Sequence, residues 1–379
     1  MRQIILLLIL SFLFSGCAAA APEVSIETVP PITETAPAES QSTKPIDPLR
    51  QLLNSMTLEE KVGQLFLARC PAENAVGDLA AYHLGGYLLF GQDFDNETPD
   101  SFREKISGYQ NTSPIPLLIA VDEEGGTVCR VSSHKAFRNQ RFPSPREAYA
   151  AGGMEYLLAA ETEKAELLSS LGINVIMGPV CDITPGFGAF MQPRSLGESP
   201  EITGRFTASA VQIYRNSRLG SMLKHFPGYG NNPDTHTDMV TDERSLEELE
   251  AVDLVPFEAG IQAGCDAILM SHNIISALDD AAPASLSPAV HDYLRNTMDF
   301  DGVIVTDDLV MAAITQAYGV EEAAVLAVLS GNDLLCCTDY PSQYPAVLEA
   351  VRANRISMEQ LEESVLRILK WKQKLGLIF

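Results

Sequence analysis

Short apolar runs separated by longer stretches dominate the pattern of hydrophobic and polar positions along the chain. The runs occupy residues 63–68, 86–90, 117–121, 174–177, 221–223, 267–270, 303–305 and 333–335. Each is short and mostly apolar, as is typical of parallel strands that are buried on both faces. Residues 156–171 and 246–263 instead alternate apolar and charged positions at helical spacing, and Thr57 with Glu60 marks a capped helix start. The pattern predicts eight strands alternating with solvated helices.

Polar or conformationally special residues follow each run. They are Arg69; Gln92 and Asp93; Asp122, Glu123, Glu124, Gly125 and Gly126; Gly178, Pro179 and Asp182; Lys224 and His225; Ser271 and His272; Asp307 and Asp308; and Thr338 and Asp339. A (β/α)8 barrel builds its active site from such strand ends, so the repetition predicts a single α/β barrel of the TIM type. A doubly wound open sheet is the alternative, but it needs a glycine-rich loop where this chain has Ala68-Arg69-Cys70-Pro71.

The first 46 residues differ in composition from the rest. The apolar run at residues 4–14 is typical of a secretory signal, and Leu13-Phe14-Ser15-Gly16-Cys17 resembles a bacterial lipobox, which makes Cys17 the expected lipidation site. An ordinary signal peptide cut nearby is the alternative. Residues 18–46 carry almost no large apolar side chains and are expected to be a disordered linker. The predicted organisation is a signal at 1–17, a linker at 18–46 and a catalytic domain at 47–379, anchored outside the cytoplasmic membrane by its lipid.

Composition narrows the classes of function. Asp and Glu outnumber Lys and Arg by 50 to 26, a net charge of -24, which excludes a nucleic-acid partner because phosphate binding needs a basic face. Residues 358–379 are amphipathic and basic around Lys370, Lys372 and Lys374, and predict a helix that packs on the barrel rather than on a membrane. Six cysteines besides Cys17 lie mostly in apolar runs without C-x-x-C spacing, so buried thiols are favoured over disulfides.

The stretch from Lys224 to His236 holds the densest group of reactive side chains. An apolar run ends there, and two glycines and two prolines force an irregular loop. Asp234 and His236 are two residues apart, so the carboxylate can reach one ring nitrogen and leave the other free to exchange a proton.

A second reactive group is the carboxylate of Asp307, which ends a predicted strand and would lie on the barrel rim. We expect Asp308, rather than Asp307, to cap the helix that begins near Leu309. A strand-end carboxylate opposite an Asp–His pair supplies a nucleophile and a proton donor, and retaining glycoside hydrolysis needs those two roles.

Five ordered motifs together resemble family 3 of the glycoside hydrolases, in its β-N-acetylglucosaminidase branch. The motifs are Asp122-Glu123-Glu124-Gly125-Gly126, Arg194-Ser195-Leu196-Gly197, Lys224-His225-Phe226-Pro227-Gly228 with Asp234-Thr235-His236, Pro283-Ala284-Ser285-Leu286-Ser287, and Val305-Thr306-Asp307-Asp308-Leu309. The resemblance covers about residues 56–335. It implies a barrel that stands alone, no cofactor or metal, and a retaining enzyme that removes terminal β-linked N-acetylglucosamine from glycans or cell-wall fragments.

The resemblance also implies a role for each matching residue. Asp307 becomes the nucleophile, His236 the acid/base and Asp234 its partner, while Asp122, Arg130, Arg194, Lys224 and His225 line the sugar pocket. The arginine forks can donate to hydroxyl or carbonyl oxygens, and Asp122 can accept from two hydroxyls. Two positions depart from the family pattern: Tyr229 stands where a histidine is usual, and Thr127 where an arginine is usual.

Several alternatives remain open at this level. A phosphorylase of the same family is physically plausible, because a histidine acid/base removes a negative charge that would repel phosphate. A β-glucosidase, a metal-dependent amidohydrolase that uses His225 and His272, and a glycan-binding lipoprotein without activity are the others. Neither the natural aglycone nor the oligomeric state follows from the sequence.

Overall fold

Eight parallel strands close into a barrel in the structure, a computed structural model that describes residues 47–184, 189–233 and 239–379. The strands are β1 Phe66–Arg69, β2 Gly86–Leu89, β3 Leu118–Val121, β4 Val175–Ile176, β5 Gly220–Phe226, β6 Ala267–Met270, β7 Val303–Thr306 and β8 Leu335–Cys337. Each pairs in parallel with the next, and β8 pairs with β1. A parallel bridge between Val305 and Leu334 joins β7 to β8. The predicted (β/α)8 barrel is confirmed.

Helices follow or precede the strands around the outside. They are α1 Pro48–Ser55, α2 Leu58–Gln64, α3 Ala75–Tyr82, α4 Pro99–Thr112, α5 Pro145–Ser170, α6 Pro200–Asn216, α7 Leu246–Ala251, α8 Leu254–Gln262, α9 Pro288–Asp292, α10 Ala312–Tyr318, α11 Val320–Ser330, α12 Tyr340–Arg352 and α13 Met358–Lys374. In the described ranges no single helix is long and apolar enough to cross a membrane, although α10 and α11, bent by 97°, meet the length and composition criteria as a pair.

Local signals explain several helix starts. Thr57 caps α2 as predicted, since its hydroxyl accepts from the Glu60 N–H while the Glu60 carboxylate accepts from the Thr57 N–H. Helix α2 extends through Gln64, so the first apolar run begins as helix and becomes strand only at Phe66. The predicted helix at 246–263 is two helices, because Val252 leaves helical geometry between α7 and α8.

The fifth strand is longer than its apolar run. Lys224, His225 and Phe226 were predicted to begin the loop, but they continue β5. Neighbouring backbone holds them extended: Lys224 accepts from the Cys181 N–H at 2.7 Å, and Phe226 accepts from the Ser271 N–H at 2.9 Å. Their polar side chains therefore sit on rigid strand rather than on loop.

The carboxyl-terminal helix α13 packs on the barrel as predicted, but one of its lysines is not on the basic face. Lys372 is fully buried, and its ammonium donates to the Gln64 side-chain oxygen at 2.6 Å. Burial lowers the pKa of Lys372 to about 7. The sequence pattern predicts Lys372 on the basic face together with Lys370 and Lys374, and only those two are exposed.

The thiols also follow the prediction. Cys70, Cys129, Cys181, Cys265, Cys336 and Cys337 are all free and buried in the described part of the chain. Burial raises the pKa of several of them, Cys70 to about 12. Thiolate chemistry at these positions is therefore disfavoured.

Candidate active site

A cavity of about 700 Å³ opens at the carboxyl ends of the strands. It brings together six of the eight side chains predicted from sequence: Asp122, Arg130, Arg194, Lys224, His225 and Asp307. The other two, Asp234 and His236, lie outside the described residues. Thr127, one of the departures from the family pattern, also lines the cavity.

Lys224 is the central cation of this site. Its side chain is 2% exposed, and its ammonium lies 2.5 Å from Asp122 Oδ1 and 2.6 Å from Glu124 Oε1. Burial would lower the pKa of Lys224, but the two carboxylates outweigh burial and raise it. The ammonium thus stays charged, although it is removed from water. Because strand geometry sends alternate residues to one face, Asp122 and Glu124 reach it together.

Glu124 joins Lys224 to Arg194. The Arg194 fork donates to both oxygens of the Glu124 carboxylate, at 2.8 and 2.7 Å. Burial would raise the pKa of Glu124, but the Lys224 and Arg194 cations hold it well below its ordinary range. Glu124 therefore occupies two of the five Arg194 donors, and the sugar contact expected of this fork stays a prediction. Arg194 still lines the cavity and orients the groups beside it.

His225 extends the same row of polar contacts. Its Nε2 lies 3.3 Å from Arg194 Nη2, and its Nδ1 lies 2.7 Å from Asp182 Oδ2. Arginine can only donate, so Nε2 accepts, and Nδ1 carries the proton that it donates to Asp182. Asp182 Oδ1 also accepts from the Tyr229 N–H at 2.8 Å, and the Tyr229 ring stands edge-on to the His225 ring. The family departure at Tyr229 therefore contacts a pocket residue.

Arg130 lies at the other end of this row. Its guanidinium is 3.7 Å from Asp122 Oδ2, and its backbone N–H donates to Glu123 Oε2 at 2.9 Å. Arg130 and Arg69 both lie over the Phe90 ring, at 5.4 and 4.3 Å from its centre. The three side chains line the cavity, so a flat aromatic face flanked by two cations forms part of its wall.

Asp307 and Asp308 follow β7 and have different hydrogen-bond partners. Asp308 accepts from the Val310 and Thr338 N–H groups and from the Thr338 hydroxyl, at 3.1, 3.2 and 2.5 Å. It does not cap a helix as expected, since α10 begins only at Ala312 and a turn intervenes. Asp307 Oδ1 accepts from the Asp308 N–H at 2.9 Å, and Asp307 lines the cavity.

His272 supports the backbone next to Asp307. Its Nε2 donates to the Asp308 carbonyl at 3.1 Å, and its Nδ1 accepts from the Ser285 hydroxyl at 2.7 Å. The amidohydrolase alternative needs His272 and His225 as ligands of one metal, yet the two rings have separate protein partners. No group of three or more potential metal ligands clusters within the described residues.

The sequence analysis assigned no functional role to two residues of the site, Glu124 and Asp182. Glu124 stands two residues from Asp122, and strand alternation could have found it, because it shares a face with that residue. Asp182 lies six residues beyond the end of β4 and contacts His225 on the adjacent strand β5, a contact that no local spacing signals.

Comparison with known proteins agrees with this geometry. A model of the glycosyl hydrolase family 3 N-terminal domain matches residues 57–371. A β-hexosaminidase of Xanthomonas oryzae pv. oryzae is 32% identical over 287 residues, covering 73% of this chain and 83% of that protein. A solved family 3 β-N-acetylglucosaminidase from Paenibacillus sp. FPU-7 is 32% identical with a TM-score of 0.79, covering 85% of this chain and 63% of that one. A β-glucoside phosphorylase, BglX bound to 2FGlc, is 25% identical with a TM-score of 0.76, covering 87% and 61%.

The barrel, its charged cavity and these relatives together identify the protein as a glycoside hydrolase. The chain belongs to glycosyl hydrolase family 3.

Replacing Glu124 with Gln should strongly impair turnover while keeping the shape of the site. Removing one partner of a buried ion pair costs about 3–5 kcal/mol, and here the loss leaves Lys224 paired with Asp122 alone and removes the carboxylate that Arg194 binds. We expect kcat/KM to fall at least about tenfold, which corresponds to about 1.4 kcal/mol. Glu322→Gln, which breaks an exposed pair with Arg355, is the control and should change neither kinetics nor Tm appreciably. Turnover of folded Glu124→Gln within about twofold of the parent would contradict the role assigned to the row of ion pairs.

Proposed function

We propose that the protein is a retaining β-N-acetylhexosaminidase that hydrolyses terminal β-linked N-acetylglucosamine through a covalent glycosyl-enzyme intermediate. The observation that carries this proposal is the cavity in which Asp307 stands with the Asp122, Lys224, Arg194 and His225 groups. The names of the relatives support the sugar class. The substrate partner is then an oligosaccharide with β-linked N-acetylglucosamine at its non-reducing end.

The first chemical step needs an ionised carboxylate below the anomeric carbon. In this proposal Asp307 supplies it from the end of β7, where it lines the cavity, while the carboxylate of Asp308 accepts from Val310 and Thr338. Asp307 attacks the anomeric carbon as the bond to the leaving oxygen breaks, and the glycosyl ester forms. The Asp122 carboxylate and the neighbouring cations hold the sugar hydroxyls during this step.

The leaving oxygen needs a proton, which His236 supplies in this proposal. A protonated imidazole donates it in the first step, and the neutral imidazole then takes a proton from water as that water attacks the ester. Asp234 orients the ring and stabilises its charged form, as a carboxylate does for histidine elsewhere. Protein atoms and charge balance over the cycle, because His236 ends as it began.

Phosphorolysis is the second candidate, since one structural neighbour is named a β-glucoside phosphorylase. Phosphate would replace water as the second acceptor, and a histidine in place of a carboxylate would not repel it. Hydrolysis and phosphorolysis share the first step. They differ in whether free sugar or sugar phosphate leaves the site.

Asp307→Ala should abolish turnover, because the glycosyl ester cannot form without that carboxylate. The parent should release p-nitrophenol from the β-N-acetylglucosaminide faster than from the β-glucoside, and added phosphate should yield no sugar phosphate. A 5-fluoro analogue should attach to Asp307, located by fragmentation of the labelled peptide. A label on Asp308 would show that the neighbouring carboxylate is the nucleophile, and sugar phosphate as main product would establish the phosphorylase.

His236→Ala should slow substrates with poor leaving groups far more than activated ones. Protonation of the leaving oxygen contributes about 10²–10⁴-fold, and a dinitrophenolate leaves without it. With the activated substrate the second step should limit, which gives a burst of phenol in a stopped-flow trace. Asp234→Asn should show the same pattern more mildly, because it retains a hydrogen bond. An equal loss on both substrates would remove His236 from the role of proton donor.

The mature protein is, in this proposal, anchored outside the cytoplasmic membrane by a lipid on Cys17, which the lipobox-like sequence before it supports. Cys17→Ala should move the protein from the membrane fraction to the soluble fraction of cells that express it. Ser15→Ala, which keeps a small residue before the cysteine, is the matched control and should stay with the membrane. An unchanged distribution of Cys17→Ala would reject the anchor.

A further inference from the structure

The two flanks of the loop that carries residues 234–238 meet at one side chain, Arg244. On the amino-terminal flank, Arg244 Nη2 donates to the Gly228 carbonyl at 3.3 Å. On the carboxyl-terminal flank, Arg244 donates to both oxygens of Asp242, from Nε at 3.0 and 3.1 Å and from Nη2 at 2.6 Å. Asn232 also donates to Asp242 at 2.8 Å, so the flanks are joined directly as well.

Arg244 is in turn fixed to the scaffold. Its Nη1 donates to Asp253 Oδ2 at 2.5 Å, and Asp253 lies directly before α8 with its side chain fully buried. Asp242 is held on the barrel side by a short parallel strand, Thr241–Asp242, which pairs with Ile274–Ile275 beyond β6. The guanidinium therefore couples both flanks of the loop to two barrel elements.

The two glycines of the loop fit this arrangement closely. A Cβ on Gly230 would lie 2.6 Å from Arg244 Cζ, and a Cβ on Gly228 would lie 2.6 Å from Asp253 Oδ1. Both glycines also have positive φ, at +53° and +125°, which disfavours other residues. The backbone can approach the guanidinium and its carboxylate partner only because these positions lack side chains.

We propose that Arg244, with Asp242 and Asp253, is a positioning residue that fixes the loop bearing His236, so that the imidazole delivers its proton to the leaving oxygen. This inference rests on the proposed role of His236. Arg244 is not among the residues that line the cavity. It acts through the flanks of the loop, and a misplacement of about 1 Å in such a group can cost on the order of 10²-fold in rate.

The test compares leaving groups rather than overall activity. Arg244→Gln should lower kcat/KM for a disaccharide or alkyl glycoside at least about tenfold more than the first-step rate for a dinitrophenyl glycoside, because only the former needs the proton. A merely structural residue would lower both by the same factor. Burial raises the pKa of Asp253 to about 7 even beside Arg244, so this carboxyl can become neutral in the variant instead of leaving a buried charge.

Two further variants distinguish a loss of positioning from a loss of folding stability. Gly230→Ala keeps every charge but presses a methyl group against the guanidinium, and it should show the same leaving-group dependence. Arg295→Gln is the matched control at the opposite end of the barrel. Like Arg244, Arg295 binds both carboxylate and backbone oxygens, here those of the buried Asp333 and the carbonyls of Phe300 and Gly302. Its loss should lower Tm without altering the leaving-group dependence.

The outcomes separate this inference from the proposed function. A uniform loss in both Arg244→Gln and Gly230→Ala overturns the positioning role, whatever His236→Ala does. A uniform loss in His236→Ala overturns the assignment of the proton donor, while leaving-group dependence in the Arg244 variant would still place the donor on this loop. Selective losses in all three variants support both.

Discussion

The site depends on an ammonium group that is buried between two carboxylates. Lys224 can stay charged inside the barrel only because Asp122 and Glu124 both reach it, and Glu124 can stay charged only because Arg194 reaches it as well. Removing such ions from water is costly unless they are paired and hydrogen bonded. The contacts continue through His225 to Asp182, so each group orients the next.

Much of this arrangement could be predicted, because it follows from periodicities along the chain. Continuous apolar runs with polar ends predicted the barrel and the rim on which Asp122, Lys224 and Asp307 meet. The misses have a common physical cause, which is that partners distant in sequence decided the outcome. Lys372 is charged and was expected on the surface, yet it is buried and donates a hydrogen bond to the Gln64 side chain. Asp308 has the character of a helix cap, yet Thr338 on the next strand end holds it.

The loop between β5 and α7 is a second region whose shape could not be predicted from its residue types. Its glycines and prolines predict an irregular backbone but not what shapes it. The shape of its flanks is decided by Arg244, which lies within the loop, and by Asp182 and Asp253, which lie before and after it in the chain. The glycines are then explained by close approach to those side chains as well as by backbone freedom.

The row of ion pairs has a consequence for how function is divided along the chain. Its members come from the ends of β3 to β5, which are consecutive, whereas Asp307 follows β7. In the proposed mechanism, recognition of the sugar and attack on it therefore reside in different halves of the barrel and can diverge separately over evolution. A change confined to the later half, or to the loop proposed to deliver the proton, would then alter the fate of the intermediate and leave the contacts proposed to bind the sugar unchanged.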